Sequence, residues 1–241
     1  MSAPARREGP RHAWRTRASE SWSVARSRSL KIAEVFLSIQ GEGSRVGLPT
    51  VFVRLTGCAL RCRWCDTAWA FGGGTWRALA DLAAEVASFG VPRVCVTGGE
   101  PLLQPSVVPL IRHLAEDQGL DVVVETGGDQ DISVLSERVV RILDVKLPGS
   151  GMDERMDEEN WNRLTSRDEL KLIVADRRDY ERARSLLSGP LAAFRGEVLI
   201  GAVAGELDPA LLARWVLEDR LRARVQIQLH KVLWPGQEKG V

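Results

Sequence analysis

Nowhere in the 241 residues does an apolar run reach the ~18 residues that a helical membrane span needs. The N-terminus also lacks the continuous apolar stretch of a secretory signal. Cysteine is scarce: there are four, and three of them fall within eight residues. A secreted disulfide scaffold would spread its cysteines and would be a smaller chain. No internal repeat and no second core are visible. These absences argue against a membrane protein, a disulfide-stapled module and a repeat array. The expectation that remains is a soluble globular chain in a reducing compartment, the cytoplasm.

The formal net charge of +1 conceals an asymmetry. Residues 1–29 hold seven Arg, two Glu and almost no aliphatic side chains, whereas the remainder is net −4. The first segment reads as a disordered tail and residues 30–241 as one core domain. A nucleic-acid-binding arm has little else in its favour. Neither nucleic acid nor a membrane is an expected partner.

From Lys31 on, short β-type runs alternate with amphipathic helical segments. Strands are expected over 31–37, 50–55, 93–97, 121–125, 141–145, 169–174, 197–200 and 224–229, rich in Val, Ile and Leu. Such runs suit a parallel sheet buried on both faces. Helices are expected at 76–89, 105–118, 177–188 and 208–221, the first ended by Gly90. Eight full βα units need ~250 residues, and the 211 residues from Lys31 fall short. The expected fold is therefore α/β, a partial, open parallel β/α barrel. In such sheets ligands sit at the C-terminal strand ends. The polar motifs IQGEG (39–43), TGC (56–58), TGGEP (97–101), ETGG (125–128) and DVKLPGSG (144–151) each follow a strand, which predicts one mouth that collects them.

Cys58, Cys62 and Cys65 stand in GCALRCRWCDT with the spacing CxxxCxxC. Three thiolates on one loop can hold three corners of a [4Fe–4S] cluster and leave one iron open to a small molecule. A structural zinc site would want a fourth ligand. Cys95 lies in VCVT, a strand context in which a lone cysteine is usually a small hydrophobe.

With Trp64 before the last cysteine and Gly98-Gly99-Glu100 after a strand, these residues resemble the radical S-adenosylmethionine superfamily. The resemblance implies a [4Fe–4S] cluster whose open iron chelates S-adenosylmethionine. Gly98 and Gly99 would let backbone approach the methionine amine, and Glu100 would stabilise its charge. Within the superfamily, IQGEG, VFVRLTGC, CDT, TGGEP, ETGG, DVKLPGSG, ELKLIV and QLHKVLW together resemble the 7-carboxy-7-deazaguanine synthase family from Ile32 to Val241.

That likeness implies a carbon–nitrogen lyase that acts on 6-carboxy-5,6,7,8-tetrahydropterin with Mg²⁺ assistance. It also implies a homodimer and an electron donor such as flavodoxin. Substrate contacts would come from Ile39, Gln40, Gly41, Glu42, Arg54, Thr97, His230 and Val241. Arg54 would meet the substrate carboxylate unless it serves a structural ion pair. Thr67 would ligate Mg²⁺. Trp64, Asp66, Glu125, Asp144, Val145, Lys146 and Gly201 would serve the cofactor. Glu169 and Lys171 share one strand face, as an internal ion pair or as ligand contacts. Some relatives have Ser-Pro-Lys where this chain has Asp144-Val145-Lys146. An activase that makes a glycyl radical on a partner protein would share the cysteine loop and GGE, but would not need IQGEG, Arg54 or Thr67.

Overall fold

The computed structural model describes residues 21–241. Their nine strands form a single sheet in the order β3-β1-β2-β4-β5-β6-β7-β8-β9. The strands are β1 Ser29–Ile39, β2 Pro49–Leu55, β3 Thr75–Ala78, β4 Arg93–Gly98, β5 Asp121–Thr126, β6 Val140–Asp144, β7 Glu169–Val174, β8 Glu197–Ala202 and β9 Arg224–Gln226. The strands from β2 through β9, β3 excepted, pair in parallel. β3 and β9 are left as edges, so the barrel is open, as expected.

The sheet is not wholly parallel, however. β1 pairs antiparallel with β2, and β3 antiparallel with β1. The expected helix at 76 begins later, because Trp76 and Arg77 belong to β3. α2, Leu79–Ser88, then buries Leu79, Leu82, Ala83 and Val86. Gly90, at φ +68°, ends it as expected. The last strand stops at Gln226 rather than 229, and Leu229–Leu233 is a short helix, α7. α5, Arg177–Ser188, starts on Asp176, whose carboxylate accepts from Asp179 N at 2.9 Å. α6, Pro209–Glu218, starts on Asp208, with Pro209 in the first turn.

Side-chain parity divides the sheet. Val51, Val53 and Leu55, Val94 and Val96, and Leu170, Leu172 and Val174 join the main core beneath the helices. Each fully buried Leu or Val of this face contributes roughly 1.5–3 kcal/mol. The intervening residues turn inward. They comprise a small apolar cluster of Val123, Val140, Ile142 and Leu199 and the polar residues described below.

Of the expected tail, residues 1–20 lie outside the described residues. Residues 21–28 are not tail-like. Trp22–Ala25 is a helical turn, α1. Ala25 is fully buried, and Trp22 stacks on His113 with ring centroids 3.8 Å apart. The partner lies far along the chain, so no local pattern marks the boundary.

Candidate active site

A cavity of about 690 Å³ opens on the inner face of the sheet, within the usual range for ligand sites. Two loops reach it from opposite ends. The cysteine loop follows the C-terminal end of β2. The IQGEG loop was expected at the same mouth. Because β1 runs antiparallel, that loop instead enters from the N-terminal ends of the parallel strands. There Arg45 pairs with Asp121, the first residue of β5, and Ser44 N donates to Glu169, the first of β7. From that floor Gln40 and Glu42 reach up into the cavity.

All three loop cysteines line the cavity, and none is in a disulfide. Arg61 staples their loop by donating to Cys58 O at 2.7 Å and Leu60 O at 2.6 Å. Arg63 N donates to Ser150 O at 3.1 Å. Burial pushes the Cys58 thiol up to about 11, helped by the charge of Glu100. Burial also raises Cys62, with Lys146 opposing. Such thiols ionise when metal takes the proton's place. Among the described residues, no three His, Cys, Asp or Glu side chains group around a single-ion position. The three thiols all face the cavity, and thiolates from one loop with open space beside them suit an iron–sulfur cluster. Cys95 is a buried strand residue, as expected.

Gly98 and Gly99 line the cavity, where the expected cofactor contact would need them, and they also carry a structural task. Cβ atoms on Gly98 and Gly99 would stand 2.3 Å from Leu55 O and 2.2 Å from Gly57 O. Both glycines are therefore needed for chain-to-chain contact at the root of the cysteine loop. Glu100 is fully buried and is not among the lining residues. Its carboxylate accepts from Leu102 N at 2.9 Å, Gly127 N at 2.7 Å and the Thr126 hydroxyl. It braces the loop after β4 against the loop after β5. Burial, reinforced by Asp129, lifts it to about 7.

Trp64, Asp66, Asp144 and Lys146 line the cavity. Lys146 Nζ lies 2.9 Å from Asp144. Burial opposes its charge, but Asp144 and Cys62 hold it above the ordinary lysine value. Val145 does not join them: it is 1% exposed and belongs to the helix-side core. Gly201 is not a lining residue either, and Val203, Ala204 and Glu206 line the cavity in its place.

On the side reached by IQGEG, Ile39, Gln40, Gly41 and Glu42 all line the cavity. Glu125 accepts from Thr97 Oγ1 at 2.9 Å and from Gln40 Nε2 at 3.4 Å. It therefore contacts two of the expected substrate residues within the cavity that the cysteines also line. Glu42 is gripped by Lys171 and by Gln228 Nε2 at 2.6 Å. Lys171 thus pairs with Glu42 and not with Glu169. Burial opposes the Lys171 charge, and Glu42 and Asp144 win. His230 lies so close to Gly41 that a Cβ there would be 2.3 Å from Nδ1. Burial lowers its pKa although Glu42 and Asp66 pull the other way, so the ring is neutral at neutral pH.

Arg54 also lines the cavity, and its Nε donates to Glu34 at 2.8 Å. Thr67 leads into a 3₁₀ turn without capping it through its hydroxyl. Its Oγ1 lies 3.8 Å from Cys65 Sγ. Desolvation would raise Asp66, but Lys231, Lys171 and Gln228 outweigh it and hold it below the usual carboxylate range. Val241 lines the cavity together with Pro235–Glu238. Sequence reasoning missed Glu34, Phe52, Ile142 and Ile173. Glu34 left a signal, as a charge in an apolar strand next to the strand that buries Arg54.

The radical SAM superfamily model matches residues 52–146, from β2 to Lys146. A 7-carboxy-7-deazaguanine synthase of Chlorobaculum tepidum is 41% identical over 215 residues, spanning 88% of this chain and 97% of that protein. One of Koribacter versatilis is 39% identical over 229 residues, spanning 88% and 100%. The crystal structure of QueE from Escherichia coli shares the fold with a TM-score of 0.71 at 23% identity, covering 86% of this chain and 99% of that one. With relatives this similar along nearly their whole length, the chain belongs to the 7-carboxy-7-deazaguanine synthase family of the radical SAM superfamily.

Proposed function

We propose that this chain converts 6-carboxy-5,6,7,8-tetrahydropterin to 7-carboxy-7-deazaguanine with loss of ammonia, a step toward 7-deazapurines such as queuosine. One observation carries the reading. A single cavity joins the three cysteines to Gln40, Arg54, Thr97, Glu125 and His230, the amide, guanidinium, hydroxyl, carboxylate and imidazole groups that a carboxylated pterin requires.

Cys58, Cys62 and Cys65 would hold the [4Fe–4S] cluster, with S-adenosylmethionine beside Asp144, Lys146 and Gly99. When bound, this pair supplies the 5′-deoxyadenosyl radical that abstracts a substrate hydrogen. The remaining work belongs to the chain. Arg54 keeps its terminal N–H groups for the substrate carboxylate, a bidentate match. Gln40, Thr97 and Glu125 offer donors and acceptors to the planar ring edge. Glu42 is held rigid by Lys171 and Gln228, and neutral His230 can donate from one nitrogen and accept at the other. Phe52, Ile142 and Ile173 exclude water from the radical's path. The Thr67 hydroxyl, which does not cap its own turn, would hold Mg²⁺, a hard cation that takes oxygen ligands.

A flavodoxin-type electron donor, a homodimer and a cytoplasmic location complete the proposal and rest on family likeness. Free thiols on every described cysteine agree with a reducing compartment. No helix among the described residues is long and apolar enough to cross a membrane. The test is an anaerobic assay of the reconstituted protein with carboxytetrahydropterin, S-adenosylmethionine, Mg²⁺ and a reductant. Formation of 7-carboxy-7-deazaguanine supports the reading. A requirement for a protein substrate in its place overturns it in favour of an activase.

A further inference from the structure

Glu34 stands on β1 directly opposite Arg54 in the antiparallel register. Its side chain is 16% exposed and that of Arg54 11%, so the pair is nearly dry. Its two oxygens serve different parts of the chain. Oε1 accepts from Arg54 Nε at 2.8 Å. Oε2 accepts from the backbone N–H of Gly240 at 3.1 Å. One carboxylate thus touches both the arginine that faces the cavity and the next-to-last residue of the chain. The adjacent Lys239 is pinned separately, with Nζ 4.6 Å over the ring of Trp69. Pro235–Glu238, between these anchors and α7, and Val241, just beyond them, line the cavity.

We infer that Glu34 is a positioning residue: it orients Arg54 toward the substrate carboxylate and fastens the C-terminal segment 235–241 over the cavity. The inference rests on the role given to Arg54 above. A guanidinium offers five N–H groups in one plane. Binding Nε fixes that plane and leaves the terminal nitrogens for a second, substrate carboxylate. The grip on Gly240 is to backbone, so its strength is set from the Glu34 side. The carboxylate meets the two N–H donors with a separate oxygen for each. Glutamine has the same shape but only one acceptor oxygen, so its amide would confront one donor with another.

The test uses the reconstituted holoenzyme with Glu34→Gln. KM for carboxytetrahydropterin is expected to rise about tenfold, with kcat within about twofold, the scale of one misdirected charge-assisted hydrogen bond. Cluster absorption and the KM for S-adenosylmethionine stay as in the wild type. Hydrogen exchange of the substrate-free protein should quicken in 235–241 and stay unchanged in α2. Lys239→Ala, which leaves Arg54 and Glu34 untouched, should quicken the same segment with a smaller rise in KM. Unchanged KM and unchanged exchange in Glu34→Gln overturn the inference. A raised KM with unchanged exchange overturns the fastening of the segment. Loss of cluster, thermal stability and kcat together reduces Glu34 to a structural residue, which also overturns it. If the wild type itself does not turn over the pterin, the proposed function fails, and the exchange data alone decide whether Glu34 holds the segment.

Discussion

Replacing Gly99 with alanine asks whether β4 holds the cysteine loop in place independently of any cluster. The new Cβ would lie 2.2 Å from Gly57 O, 2.6 Å from Gly57 C and 3.0 Å from Cys58 Cβ. Real Cβ contacts essentially never fall below 3.0 Å, so the loop must retreat by about 0.8 Å, the difference between 3.0 and 2.2 Å. The obstruction is backbone, which cannot rotate away as a side chain would. Retreat breaks the bond from Glu100 N to Gly57 O, 2.7 Å, and strains that from Gly99 N to Leu55 O, 3.1 Å. Two hydrogen bonds at about 1 kcal/mol each, with overpacking of about 1–3 kcal/mol, give a loss of about 3–5 kcal/mol. A domain of this size holds about 5–15 kcal/mol, so the fold survives with Cys58 displaced.

The assays are iron content after anaerobic reconstitution and Tm of the metal-free protein. Gly99→Ala should bind far less iron, and its Tm should fall by about 10 °C, at 2–4 °C per kcal/mol for a chain of this length. Gly72→Ala is the control: its φ is −145° and its Cβ would meet nothing within 4 Å. It should match the wild type in both assays. Full iron content and an unchanged Tm in Gly99→Ala would refute the account of how the loop is held.

Three further substitutions probe other parts of the site. Glu100 is raised to about 7 from 4.5, so over that window the folded state binds a proton that the unfolded chain releases, and stability falls as pH rises. Metal-free Glu100→Gln should therefore gain about 3 kcal/mol on the wild type between about pH 4 and about pH 8 in urea melts, and a gap that does not vary with pH would sink this. Lys171→Met leaves the buried Glu42 without its cation, at a cost of about 3 kcal/mol in unfolding free energy; a loss under about 1 kcal/mol would mean that Gln228 suffices. Thr67→Ala should keep its full iron content but respond less to added Mg²⁺, and an unaltered Mg²⁺ titration would remove Thr67 from that role.

Most strands were legible because buried Val, Ile and Leu runs carry their own signal, but β1 was read as parallel with the rest and is antiparallel. A signal for it existed. Only residues 40–48 separate β1 from β2, fewer than the dozen or more that a parallel crossover requires, so the pair had to be antiparallel. That one fact moves IQGEG from the mouth of the barrel to its floor. Val145 was misassigned for a similar reason. Asp144 and Lys146 line the cavity, and alternation along the chain sends the residue between them to the other face. The partners of Trp22 and Glu34 could not be read, since His113 and Gly240 lie 91 and 206 positions away and no local pattern reports such pairs.

Parity also explains how one sheet serves two purposes. In β2, Val51, Val53 and Leu55 are core residues beneath the helices, while Phe52 and Arg54 line the cavity. In β7, Leu170, Leu172 and Val174 face the helices, while Lys171 and Ile173 face the cavity. A slip of one residue in either strand would bury a charge under the helices and turn an aliphatic side chain into the site. The cost of such a slip, a buried unpaired cation, is several kcal/mol, comparable to the stability of a whole domain. The apolar face that drives folding therefore also sets the register of Arg54 and Lys171. The glycines at 98 and 99 then fix the height of the cysteine loop above them, so that one half of the site takes its position from apolar packing and the other from backbone contact, and neither involves a ligand.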